Sequence, residues 1–185
     1  MTDSVRNATK VAAVSQAAQA QVRALGRDAT IVGPIVDTQK FTPVRNLQAR
    51  LDKRVQLGFS AGDIVLLAPS KIKARKGPQD LLQAAKLLND KGPTNIKLLF
   101  LGNVDEPQLR QWMDTYIDTH ALRTQVSFIG PQAHDTLRDI YDASDIVGLP
   151  SRLEGLSLVT LEAQLMEKPV VAYDIDSMQD AVVHG

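Results

Sequence analysis

The chain has 185 residues, 44% of them hydrophobic, which is enough to bury the core of one domain with an appendage. Its 21 basic and 21 acidic residues cancel, and its few aromatics do not interleave with the basic ones, which argues against a nucleic-acid partner. The absence of cysteine removes disulfides, thiolate metal sites and a thiol nucleophile, and His120, His134 and His184 lack paired ligand spacing, so no metal is expected.

Taken in chain order, the Ala- and Gln-rich residues 16–22 suit a helix. Residues 64–69 read as a buried strand, followed by a loop with Lys71, Lys73, Arg75 and Lys76, and then by a helix that opens at Pro78 with Leu81, Leu82, Ala85 and Leu88 at helical spacing. Strand 96–101, helix 108–119, strand 126–129 and helix 135–141 come next. Strand 145–149, helix 157–166 and strand 170–173 complete the alternation, and residues 177–185 begin another helix. Such alternation calls for an α/β fold, a parallel sheet with helices on both faces. No apolar run approaches the roughly 20 residues that span a bilayer, and no signal peptide precedes the first helix, so a cytoplasmic protein is the default.

Two strand-to-helix corners carry the chemistry. In the second, Glu154 and Glu162 stand eight positions apart. A helix capped by Ser157 places Leu158, Val159, Leu161, Leu165 and Met166 on an apolar arc, with Thr160, Gln164 and Glu167 toward water. Glu162 then falls inside the apolar arc, where a carboxylate needs a partner: the hydroxyls of a bound sugar or ribose, or a structural Arg. The free N–H groups around Leu158 and Val159 could hold an anion at the same corner. In the first corner, the basic loop is either a diphosphate cradle or a solvated surface loop. There is no Walker phosphate loop and no Gly-x-Gly-x-x-Gly, which argues against NTPase and dehydrogenase readings.

Residues 71–180 resemble the carboxyl-terminal domain of the retaining nucleotide-sugar glycosyltransferases of GT-B architecture (glycosyl transferases group 1, glycosyltransferase family 4). Five pieces carry the resemblance in order: Lys71 with Lys76-Gly77; Phe128-Ile129-Gly130; Tyr141 and Asp145 before Pro150-Ser151; Glu154 with Glu162-Ala163; and Lys168 to Ala172. Upstream, Val11 to Ser15, a helix to Leu25, Thr30 to Val32 and Val36-Asp37 with Phe41 look like the family's interdomain connector. This divides the chain into residues 1–42, connector and remnant of an amino-terminal domain, and 43–185, a Rossmann-like nucleotide-sugar-binding domain truncated at its carboxyl end. Departures are Lys71 for the usual Arg, Glu167 for a common Gly, Asp176-Ser177-Met178 for a Gly-Gly-x-Pro turn, and Pro34-Ile35 for Asn-Gly.

The resemblance implies transfer of a hexose from a nucleoside diphosphate sugar to a sugar or lipid-linked acceptor, with retention and without a metal or other cofactor. Lys71 and Lys76 would hold the diphosphate, converging across their loop toward the helix start after Glu154, and the N–H groups near Leu158 and Val159 would share that work. Glu154, in the loop Glu154-Gly155-Leu156-Ser157, would face the donor sugar, Glu162 would grip the ribose diol, and main chain at Phe128-Ile129-Gly130 would meet the base. The implied partners are the donor, the acceptor and a missing amino-terminal domain, with peripheral membrane contact through that domain. Alternatives are a nucleotide-sugar epimerase, a phosphorylase-like enzyme of related architecture, and a non-catalytic nucleotide-binding module. A decayed site would have lost a glutamate or a lysine of the motif, and all four are present.

Overall fold

The structure, a computed structural model, describes residues 2–92 and 95–182. His184 and the end of the helix expected at 177–185 lie outside the described residues. An amino-terminal segment comprises α1 (Thr2–Asn7), β1 (Ala12–Ala13), α2 (Gln16–Ala24) and β2 (Thr30–Ile31), with the two short strands pairing in parallel. After α3 (Leu47–Gln56) the main alternation begins: β3 (Ile64–Pro69), α4 (Pro78–Asp90), β4 (Ile96–Leu101), α5 (Pro107–Thr119) and β5 (Val126–Phe128). It continues through α6 (Leu137–Ala143), β6 (Ile146–Leu149), α7 (Leu158–Leu165), β7 (Val170–Ala172) and the short α8 (Asp176–Gln179). No helix among the described residues is long and apolar enough to cross a membrane.

The five strands β3 to β7 form one parallel sheet in the order β5-β4-β3-β6-β7. Alternate strand residues feed two cores, as a pleat of period two demands. Val65, Leu67, Leu99, Leu101, Val147 and Leu149 meet Ile140, Tyr141, Ala163 and Met166 on one face. Ala68, Leu98, Phe100 and Val126 meet Leu81, Leu82, Ala85, Met113 and Ile117 on the other. This is the Rossmann-like α/β sheet expected from the sequence, with strand boundaries within a residue or two.

Strand order reverses between β3 and β6, which pair at Leu66 with Ile146 and Leu67 with Val147. Chain leaving β3 turns one way along the sheet and chain leaving β6 turns the other, which opens a crevice at their carboxyl ends where such sheets bind ligands. The two motif loops, 70–77 and 150–157, are the loops that leave these two strands.

The helix α7 differs from its expected face. Thr160, expected in water, is fully buried, and Leu158, expected in the core, is 47% exposed. The inward stripe is Ser157, Thr160, Ala163 and Met166, at spacing three. The reason is α8, whose Met178 sulfur lies 3.6 Å from the Thr160 hydroxyl, so α7 is covered by α8 as well as by the sheet. With two covered sides the apolar pattern no longer marks one face, and Leu158 projects at the exposed first turn.

Candidate functional site at the switch in strand order

The two loops are fastened to each other through backbone. Gly77 has φ +68, and a Cβ built on it would sit 2.1 Å from the Pro150 carbonyl oxygen, so only glycine permits this approach. The Arg152 N–H donates to the Arg75 carbonyl at 2.8 Å, and the Arg75 guanidinium donates to the Leu153 carbonyl at 2.7 Å. Arg152 also pairs with Asp80 at 2.9 Å, near the start of α4. Across this junction Lys76 forms an ion pair with Glu154, and Arg75 stands 3.7 Å from the same carboxylate. Only 8% of the Glu154 side chain is exposed. The sequence motifs at Lys76 and Glu154 therefore come together, although 78 residues separate them.

Lys71 does not join them. Its ammonium lies 3.3 Å from Asp105, in the loop after β4, and Lys73 lies 2.9 Å from the same oxygen. The expected convergence of Lys71 on Lys76 is absent, because residue 72 bridges to Val104 and draws this part of the loop toward β4. The Ile72 N–H donates to the Asn103 carbonyl at 2.8 Å, which fixes that attachment. The four cations thus divide into two pairs, one on each side of the crevice.

Ser157 caps α7, its hydroxyl accepting from the Thr160 N–H at 3.3 Å, so the helix opens at the crevice as expected. The Gly155 carbonyl accepts a 2.9 Å hydrogen bond from Ser15, which ties the Glu154-Gly155-Leu156 loop to the amino-terminal segment. Asp180 completes that tie by accepting from the Gln16 N–H at 2.7 Å at the start of α2. One turn down α7, half-buried Glu162 accepts from the Tyr141 hydroxyl at 2.8 Å. Its partner is thus a neutral phenol, where the sequence reading weighed a ligand diol against an Arg. Burial first, and then the Glu162 carboxylate, raise Tyr141 well above its ordinary value, so the phenol remains a donor.

Phe128, Ile129 and Gly130 lie two strands from β3, roughly 10 Å along the carboxyl edge at the usual strand spacing. Much of this main chain is already satisfied. The Ile129 N–H donates to the Phe100 carbonyl at 3.0 Å, its carbonyl accepts from Gln132 at 2.8 Å, and the Gly130 carbonyl accepts from Gly102 at 3.0 Å. The Phe128 ring stacks on Phe100 at 5.0 Å and carries the Arg110 guanidinium 3.5 Å from its centroid. Sequence reasoning missed the sitewise roles of Asp105, Ser15 and Asp180. A carboxylate in the loop after a parallel strand was the only available signal for Asp105.

The family described as glycosyl transferases group 1 matches residues 49–185. Among curated relatives, the D-inositol 3-phosphate glycosyltransferase of Rhodococcus erythropolis is 32% identical over 182 residues, covering 95% of this chain and 40% of that protein. The protein of the same name from Corynebacterium urealyticum is 34% identical over 158 residues, covering 84% and 37%. Among solved structures, Anabaena HepE in complex with UDP and glucose has a TM-score of 0.87 at 26% identity, over 98% of this chain and 49% of that one. Sucrose-phosphate synthase from Thermosynechococcus elongatus has a TM-score of 0.80 at 25% identity, over 96% and 44%. The chain thus spans about two fifths of the curated relatives and about half of these solved chains.

Proposed function

Because the chain belongs to the glycosyl transferases group 1, we propose that it is the donor-binding half of a transferase that moves a hexose from a nucleoside diphosphate sugar to a sugar or lipid-linked acceptor with retention of configuration. The observation that carries this reading is the meeting of Lys76 and Glu154 at the crevice where strand order reverses. The anion-binding group and the sugar-facing carboxylate are adjacent there, as a donor's diphosphate and hexose are adjacent.

In this reading Lys76 and the N–H groups at the start of α7, around Leu158 and Val159, stabilise the charge that grows on the diphosphate as the glycosidic bond breaks. Glu154 accepts from hexose hydroxyls, and its pairing with Lys76 and Arg75 fixes its rotamer. Glu162, held at one oxygen by Tyr141, offers the other to the ribose diol. UDP is the first nucleotide to test, since it is bound in the Anabaena HepE complexes. An acceptor would be held by a facing domain outside this chain, in keeping with the share of the relatives' length that is matched. No relative named above is an epimerase or a phosphorylase by name.

A thermal-shift panel of UDP-, GDP- and ADP-glucose tests the reading. One sugar nucleotide at a hundred times its dissociation constant should add about 2.7 kcal/mol of stability. No shift with any of the three, at millimolar concentration, would overturn it.

A further inference from the structure

Asp105, in the loop after β4, is an acid placed against the cations of the loop after β3. Its Oδ2 atom receives Lys71 at 3.3 Å and Lys73 at 2.9 Å, so both ammonium groups converge on one carboxylate oxygen. Neighbouring contacts hold the carboxylate in place: the Asp105 N–H donates to the Ile72 carbonyl at 3.3 Å, and Glu106 accepts from the Ala74 N–H at 3.1 Å. Hydrogen bonding from Lys73, ahead of that from Lys71, lowers Asp105 below the ordinary carboxylate range. The two lysines differ in freedom. Lys71 is 58% exposed and can swing, whereas Lys73 is 33% exposed. On the far side of the crevice Lys76 and Arg75 also share one carboxylate, Glu154, but there each cation meets a different oxygen. An oxygen held by two ammonium groups beside a loop that leads to a helix start is the surrounding a phosphate oxygen takes.

We propose that Asp105 is a resident counter-anion that a donor's diphosphate displaces from Lys71 and Lys73, and that it thereby sets the affinity of the site for diphosphates. The proposal rests on the donor-site reading above. A fixed negative charge beside the phosphates repels them, and it also neutralises the lysines that would attract them. Both effects oppose binding, so removing the charge strengthens it. The alternative is a scaffold that aims the lysines, and it has the opposite sign.

The test is titration calorimetry of UDP, inorganic pyrophosphate and uridine into the wild-type chain, Asp105→Asn and Asp118→Asn. The last variant removes one charge at the far end of α5, where Asp118 pairs with Arg123. Asp105→Asn should bind UDP and pyrophosphate roughly three- to tenfold more tightly, the order expected for one charge a few ångströms away in a solvated site. Uridine affinity should not change, Asp118→Asn should match wild type, and the gain should shrink in 0.5 M salt as screening shortens. Asp105→Ser provides a second variant, and thermal melting confirms that each is folded. Equal or weaker binding of UDP and pyrophosphate by both Asp105 variants overturns the proposal and makes Asp105 a scaffold. A wild-type chain that binds neither UDP nor pyrophosphate overturns the donor-site reading, and the proposal with it.

Discussion

Glu162 and Tyr141 show how one side chain is read by what remains unpaired. Within the described residues the phenol is the one hydrogen-bond partner of the Glu162 carboxylate, at 2.8 Å, and it occupies Oε2. Glu162→Gln keeps the shape but removes the charge, and should weaken UDP binding by about tenfold, since hydrogen bonds to a charged group contribute about 1.5–3 kcal/mol. The melting temperature without nucleotide should change by no more than a degree or two. Equal UDP affinity in calorimetry would reduce Glu162 to a structural partner of Tyr141. The need for a partner at Glu162 was legible in the sequence, but the partner's identity was not. Tyr141 sits 21 residues earlier, on α6, and no local spacing rule links the two. The pairing of Lys71 with Asp105 was hidden for the same reason, because it depends on β3 and β4 being neighbours.

The end of α7 explains a departure from the family pattern at the scale of the element. The Lys168 N–H donates to the Ala163 carbonyl at 2.9 Å and the Glu167 N–H to the Gln164 carbonyl at 3.0 Å, a Schellman close that puts Glu167 at φ +56. That conformation favours glycine, and the left-handed region costs another residue roughly 1 kcal/mol. Glu167→Gly should therefore raise stability by about 0.5–1 kcal/mol, with the exposed Arg45 pair contributing too little to reverse the sign. Denaturant unfolding checks this, and a loss of stability would show that the Arg45 contact outweighs the backbone strain. Gly77→Ala should do the opposite and more, since its Cβ would meet Pro150 at 2.1 Å and part the two loops. UDP affinity should fall at least tenfold, and unchanged affinity would show that the junction does not shape the site. The elements of the main sheet were legible because β3, β4, β6 and β7 are short, largely apolar runs, as strands covered on both faces are, and because α4 and α5 carry apolar residues at helical spacing. The helix α3 was not foreseen, because its inward residue is charged. Arg54 is buried and reaches the Ala143, Ala61 and Asp63 carbonyls as well as Asp145, whereas the apolar Leu47 and Val55 are exposed, so apolar spacing does not mark the inward face.

At the scale of the whole molecule, parallel order and a reversal between β3 and β6 bring motifs 78 residues apart into contact. The alternation of elements implied a parallel sheet, but the location of the reversal came only from the strand order. The amino-terminal segment meets the Glu154 loop through Ser15 and the residue after α8 through Gln16, whose N–H donates to Asp180. On the proposed reading this chain binds a donor but transfers no sugar, because transfer needs the acceptor fixed against the donor with water excluded. A transfer assay on this chain and on a two-domain protein carrying it should give turnover only with the latter, and equal turnover would contradict the division of labour. The most direct test of the central claim, that the Lys76–Glu154 corner holds a donor's diphosphate, is calorimetric titration of UDP and uridine into wild type, Lys76→Glu and Lys91→Glu. Lys91 is exposed at the end of α4, on the opposite edge of the sheet, and controls for net charge. The account predicts that Lys76→Glu abolishes UDP binding while leaving uridine binding unchanged, and that Lys91→Glu binds both as wild type does. Undiminished UDP binding by Lys76→Glu would contradict it.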